Sequence, residues 1–205
     1  MCSSARILIP ALVALLCGCA GTHKMYRSAV KTGPVLIPLP AVVTEKPGWF
    51  RLDAATVIAT PAGGDLQGVP EYLAGMIRRG TDRLPALVKE AAPDSNVIVL
   101  ALTETETALG PEGYTLEITP RRILIQAARP AGLFYGVQTL RQLWPAAWEG
   151  RMPPLPAEPV RIPCLSISDQ PRYSWRGAHL DVSRHFFAPE FIYRFIDYLA
   201  MNKMN

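Results

Sequence analysis

Two alternating apolar runs stand back to back in the middle of the chain, and they leave few options for its fold. The first, 114–119, places Tyr114, Leu116 and Ile118 on one face, and the second, Arg122–Ala127, alternates likewise. Period-two alternation marks half-buried strands, and the Pro120-Arg121 corner between them reads as a hairpin turn. Val97–Leu102, upstream, is a continuous apolar run of strand length. Downstream, 131–144 sets Leu133, Val137, Leu140 and Trp144 on one helical stripe, which Pro145 closes. Gly132 and Gly136 lie four apart on that helix, a spacing that serves close packing on a sheet better than it cradles a phosphate. The helical spacing of Tyr135 and Trp144, with Trp148 beyond, likewise reads as core packing more than as a sugar-stacking patch.

Further elements surround this centre. Val69–Thr81 carries Val69, Leu73, Met76 and Ile77 at helical spacing. Residues 35–43, 49–52 and 56–60 are short strand candidates, the first with two prolines and so suited to a sheet edge. The expected product of 35–150 is an α+β domain, a mixed sheet with two helices on one face. The proline-rich stretch 153–159 lies in an expected connector, 151–174. Twenty prolines in 205 residues, mostly between apolar runs, fit this strand-and-loop plan, and 49% apolar with 19% charged residues is a globular composition. The formal charge of +4 is spread along the chain, with no basic stripe interleaved with aromatics, so nucleic-acid binding has no support.

The N-terminus reads as a targeting segment. Arg6 precedes an apolar run, 7–16, too short for a permanent bilayer span. The run ends in Leu16-Cys17-Gly18-Cys19, which resembles a bacterial lipobox. Cleavage would then remove 1–18 and leave Cys19 acylated; a plain secretory signal cut at a small residue is the alternative. Acyl chains anchor because each buried methylene contributes about 0.8 kcal/mol. Ala20 follows, without the aspartate that argues for inner-membrane retention, so the expectation is a lipoprotein of the outer membrane facing the periplasm. Residues 19–34, small, polar and basic, would be its tether. Only Cys164 then remains as a thiol, in an apolar strand-like run with no recognisable histidine–acid partner; it reads as a buried cysteine rather than a nucleophile.

The last forty residues differ in kind. Residues 176–182 read as a short strand ending in Asp181-Val182, then comes a compact Ser183-Arg184-His185-Phe186-Phe187 loop, and Pro189 opens a helix with the stripe Ile192, Phe195, Ile196 and Leu199. This is one βα unit, and by itself it buries nothing, because its strand expects parallel neighbours.

Two blocks carry a family resemblance. One is Glu112-Gly113-Tyr114 followed by Ala131-Gly132-Leu133-Phe134-Tyr135-Gly136-Val137-Gln138-Thr139-Leu140. The other is Asp169-Gln170-Pro171-Arg172-Tyr173-Ser174-Trp175-Arg176-Gly177, continuing Leu180-Asp181-Val182-Ser183-Arg184-His185-Phe186-Phe187. In this order they resemble the β-N-acetylhexosaminidases of glycoside hydrolase family 20, from about Val35 to the end of the chain.

The resemblance implies an α+β domain followed by a (β/α)8 TIM barrel, of which 175–205 would be the first βα unit and therefore a truncated start; a whole barrel needs about 250 residues. It also implies removal of terminal β-linked N-acetylhexosamine from glycans, with no metal and no cofactor. The family's adjacent Asp-Glu pair belongs at the end of strand 4, so the catalytic residues are expected beyond Asn205 and the chain alone is expected to be inactive. Arg184, just past strand 1, is the implied substrate-binding residue, its counterpart holding the sugar's 3- and 4-hydroxyls; a guanidinium fork suits two vicinal oxygens. The alternative is that Arg184 pairs with Asp181 or another buried acid and only shapes the loop. Arg176, at the strand's other end, reads as structural, Asp181 as a hydrogen-bond acceptor fixing the loop, and His185 as orienting that loop more than touching substrate. A competing reading of the whole chain is a non-catalytic, lipid-tethered binding or scaffold domain.

Overall fold

The computed structural model describes residues 33–61, 65–81, 84–89, 94–103, 108–148 and 159–205. The expected signal 1–18, the acylated Cys19, nearly all of the tether 19–34 and most of the proline-rich stretch 153–159 lie outside these residues. No helix among the described residues is long and apolar enough to cross a membrane.

Seven strands form one mixed sheet: β1 (Val42–Leu52), β2 (Val57–Ala59), β3 (Leu87–Val88), β4 (Val97–Leu102), β5 (Tyr114–Ile118), β6 (Arg122–Ala127) and β7 (Val160–Asp169), in the spatial order β1-β7-β5-β6-β4-β2-β3. The β5–β6 pair is the expected hairpin, in the antiparallel register Tyr114↔Ala127 to Ile118↔Ile123. β4 pairs in parallel with β6 on one side and β2 on the other, which explains its unbroken apolar run, since a parallel strand is covered on both faces. Helices α1 (Val69–Thr81) and α2 (Pro130–Arg141) bury Leu73, Ile77, Leu133, Val137 and Leu140 in one cluster with Ile98, Leu116, Ile123 and Ile125 of the sheet. A smaller cluster, Ala59, Val97 and Val99, lies apart from it.

α2 packs on the sheet through its glycines. A Cβ at Gly136 would stand 2.5 Å from the Ile125 Cγ2, and one at Gly132 would meet the Gly113 carbonyl oxygen and come within 2.8 Å of the Ala127 Cβ. The close-packing reading of these two glycines therefore holds.

Three expectations need correction. The candidates 35–43 and 49–52 are not two strands: one strand, β1, starts at Val42 and runs to Leu52, with a register shift between Glu45 and Trp49 where Gly48 takes φ +100°. Pro38 and Pro40 have no N–H to give a ladder, which keeps the earlier residues out of the sheet. Secondly, Val160–Asp169, inside the expected connector, is a ten-residue strand between β1 and β5. Its Pro163 disguised it, because proline rarely sits within a sheet. β5 pairs with β7 only from Leu165 onward, so Pro163 has a strand neighbour on one side alone, beside the β1 irregularity. Thirdly, 176–182 is not a strand among the described residues: 176–181 carries no regular structure and 182 already belongs to a turn. Beyond it, Pro189–Met201 forms the expected helix, α3, and none of its residues is buried.

Cys164 is a free buried thiol on β7, and burial raises its pKa, which matches the inert reading. Trp144 and Trp148 meet edge to face at 5.1 Å, and Trp148 lies against Gly80 of α1. They are packing residues of the helical layer.

Candidate functional site

Residues 170–205 leave the end of β7, pass Arg176 without regular structure, turn at 182–185 and return through α3 to Lys203. The turn is organised by Asp181. Its Oδ1 accepts the backbone N–H groups of Ser183 at 3.0 Å and Arg184 at 3.3 Å, and its Oδ2 lies 3.2 Å from the Arg184 Nε. Asp181 thus fixes the loop as expected, though from an exposed turn and not from a buried strand. The Arg184 side chain is 85% exposed and His185 is exposed too. An exposed ion pair of this kind contributes little, roughly 0–1 kcal/mol, so Arg184 can exchange its partner at small cost.

A separate polar centre lies where this segment meets the sheet. The Arg176 guanidinium donates to both Glu112 oxygens, at 2.9 and 3.1 Å, to the Tyr135 hydroxyl at 3.2 Å and to the Lys203 carbonyl at 2.8 Å. A two-toothed fork of this kind is among the stronger and more directional protein contacts. The Arg176 hydrogen bond, with those of Asn205 and Tyr135, holds the Glu112 carboxyl below its ordinary value although burial acts the other way. Tyr135 is thereby both a packed residue and a partner of this pair.

Close by, the Lys203 ammonium donates to the Asp169 Oδ2 and to the Tyr114 hydroxyl, each at 2.8 Å. The Tyr114 hydroxyl in turn donates to the same Asp169 oxygen at 2.9 Å and meets the Thr139 hydroxyl at 2.6 Å. The Asp169 Oδ1 accepts the Ala41 N–H at 3.1 Å. Burial lowers the Lys203 pKa against the pull of Asp169, and burial beside Asp169 raises that of Tyr114. A cavity of 700 Å³ opens here, bordered by Leu39, Tyr114, Asp169, Tyr173, Arg176 and Lys203 among others; Arg184 does not line it.

Sequence reasoning read Arg176 as structural, and the structure ties it to Glu112, Tyr135 and the Lys203 carbonyl; that reasoning did not find Lys203. A lone lysine after a helix carries no chemical pattern, and only its unusual burial marks it.

The comparisons with known proteins follow this division of the molecule. Residues 33–170 match the family model of glycosyl hydrolase family 20, domain 2, and 173–205 match that of the glycosyl hydrolase family 20 catalytic domain. The chain belongs to glycosyl hydrolase family 20.

A β-hexosaminidase of Porphyromonas gingivalis is 36% identical over 170 residues, covering 83% of this chain and 21% of that protein. A β-N-acetylhexosaminidase of Cellulomonas fimi is 32% identical over 171 residues, covering 83% and 33%. A solved structure of a Streptomyces plicatus β-hexosaminidase variant in complex with its product GlcNAc superposes with a TM-score of 0.74 at 36% identity, covering 85% of this chain and 34% of that one. The chain therefore spans between a fifth and a third of the length of these relatives. The domain 2 match, which runs to residue 170, takes in β7, in keeping with its place in the sheet.

Proposed function

We propose that this chain is the N-terminal part of a β-N-acetylhexosaminidase that removes terminal β-linked N-acetylhexosamine by substrate-assisted, retaining hydrolysis. The observation that carries this reading is the behaviour of 173–205, the stretch matched to the catalytic domain. A segment without regular structure, a turn and a helix bring the chain back so that the Asn205 N–H donates to the Arg176 carbonyl at 2.9 Å. That is the first rung expected of a second strand laid beside the first after a helical crossover, as at the start of a (β/α)8 barrel.

In such a barrel the substrate site forms at the C-terminal ends of the strands. The 181–185 turn sits at that end of its segment, and there Arg184 would leave Asp181 and fork onto two vicinal hydroxyls of the sugar. The sugar's own acetamido oxygen would attack the anomeric carbon while a protonated Glu supplies the proton to the leaving oxygen. A neighbouring Asp would orient the acetamide. That Asp-Glu pair belongs to strand 4 of the barrel, outside the residues described here. The N-terminal segment would hold the enzyme in the outer membrane, facing the periplasm, by acylation of Cys19. Incorporation of a labelled fatty acid that a Cys19→Ser variant loses is the check on this anchor.

Hydrolysis of a chromogenic β-N-acetylglucosaminide tests the main reading. The full-length protein should hydrolyse it and residues 20–205 should not; a full-length protein without activity, or turnover by 20–205, overturns the proposal. In the active parent, Arg184→Ala should raise KM and lower kcat/KM by roughly ten- to a hundred-fold, the loss of a charged hydrogen bond worth about 1.5–3 kcal/mol. Unchanged kinetics in a folded variant would return Arg184 to a purely structural role.

A further inference from the structure

From Gln170 to Asn205 one residue is buried, and it is a lysine. Lys203 is 7% exposed, whereas α3 buries no side chain, and Phe186, Tyr193, Ile196 and Tyr198 are all more than half exposed. Among the described residues this segment is tied to the sheet by directional contacts, which fix orientation as apolar packing does not. Two such contacts stand at its two feet: Arg176 on Glu112 before the turn, and Lys203 on Asp169 after α3. The Asn205 side chain links them, donating to Glu112 at 3.1 Å and to the Ser174 carbonyl at 2.8 Å.

The backbone at Lys203 adds an independent observation. Lys203 takes φ +56° directly after α3, with its N–H on the Ala200 carbonyl and the Met204 N–H on the Leu199 carbonyl. This is the Schellman arrangement of a helix end, whose left-handed position is ordinarily glycine. Keeping a lysine there costs backbone stability, and what the side chain gains is the Asp169–Tyr114 centre. An outlier held by its surroundings points to a role for the group that occupies it.

We propose that Glu112–Arg176 and Asp169–Lys203 form a two-point clamp, in which Arg176 and Lys203 act as positioning residues that set where the Asp181–Arg184 turn is presented. The kinetic consequence rests on the hexosaminidase reading; the clamp itself does not.

The test uses the full-length protein and reads amide hydrogen exchange together with kinetics. Lys203→Gly is the informative variant, because it relieves the left-handed backbone while removing the ammonium. Exchange of amides in 177–188 should rise about tenfold, the order expected for one lost charged hydrogen bond, with Val97–Leu102 and 131–140 unchanged. KM for the chromogenic glycoside should rise severalfold, and Lys203→Arg should recover part of the loss. If Lys203 only caps α3, Lys203→Gly exchanges as slowly as wild type or slower, and the proposal falls.

A uniform rise in both regions also overturns it, since that is loss of global stability. Should Lys203→Gly fail to fold, Asp169→Asn combined with Lys203→Met removes both charges and leaves no buried ion unpaired. Faster exchange in 177–188 of that folded double variant supports the clamp; wild-type exchange refutes it. A wild-type protein with no glycosidase activity would sink the hexosaminidase reading while the exchange arm still decides the clamp.

Discussion

Replacing Gly132 with alanine in α2 opposes two effects whose sizes can be weighed from the structure. Alanine is the better helix former by about 1 kcal/mol. The added methyl, however, would overlap the Gly113 carbonyl oxygen and stand 2.8 Å from the Ala127 Cβ, a contact with backbone on one side and a β6 residue on the other. Neither neighbour is the free end of a flexible side chain, and Gly113 lies between Glu112 and Tyr114, both tied into the polar centre. Overpacking of this sort costs about 1–3 kcal/mol, and with two unyielding neighbours the upper part of that range, about 2–3 kcal/mol, applies, for a net loss of about 1–2 kcal/mol. Gly75 in α1 is the matched control, because a Cβ there meets nothing within 4 Å. Gly75→Ala should stabilise by roughly 0.5–1 kcal/mol. Urea unfolding of both variants beside the wild-type chain should move the two midpoints in opposite directions. Parallel shifts of similar size would show that α2 does not rest on the sheet through Gly132.

Tyr114→Phe removes the hydroxyl that joins Thr139, Asp169 and Lys203, and should cost about 1–3 kcal/mol in the same urea assay; an unchanged midpoint would mean that the buried centre is satisfied without it. Because Arg176 holds the Glu112 carboxyl below its ordinary 4.5, this pair's stabilisation is complete above 4.5 and is lost as pH falls through the lowered folded-state value. Glu112→Gln should therefore weaken the chain at neutral pH and flatten its stability–pH curve below 4.5. Glu117, lowered in the same direction by Lys46, is present in both proteins and cancels in the comparison; parallel acid curves would refute the assignment.

The central sheet and both of its covering helices were legible because their signals are local. Tyr114, Leu116 and Ile118 alternate without interruption, and the stripe Leu133, Val137, Leu140 and Trp144 repeats at helical period; each ends up buried. Where a local signal was mixed, the reading went astray. β7 buries Ile162 and Cys164 and then Leu165 and Ile167, so its alternation changes phase beside Pro163, and only the position of the strand between β1 and β5 shows why proline is tolerated there. β3, two residues long, has no pattern to find: it exists because β2 offers an open parallel edge.

The same contrast separates what the sequence determines alone from what the tertiary structure decides. Periodicity, proline placement and two residue blocks determine the α+β domain, the change of character after β7 and the family. They also single out Arg184 and Asp181, which are three apart and so meet within one turn. Tertiary structure decides which distant charges meet. Glu112 and Arg176 are 64 positions apart, and Asp169 and Lys203 are 34 apart, and each pair touches through folded elements that no sequence spacing encodes. Burial likewise becomes visible only in three dimensions. Lys203, which no sequence pattern marks, becomes the buried member of its segment because the end of α3 turns it into a site already furnished with a carboxylate and a phenol, where the loss of water is offset by two hydrogen bonds.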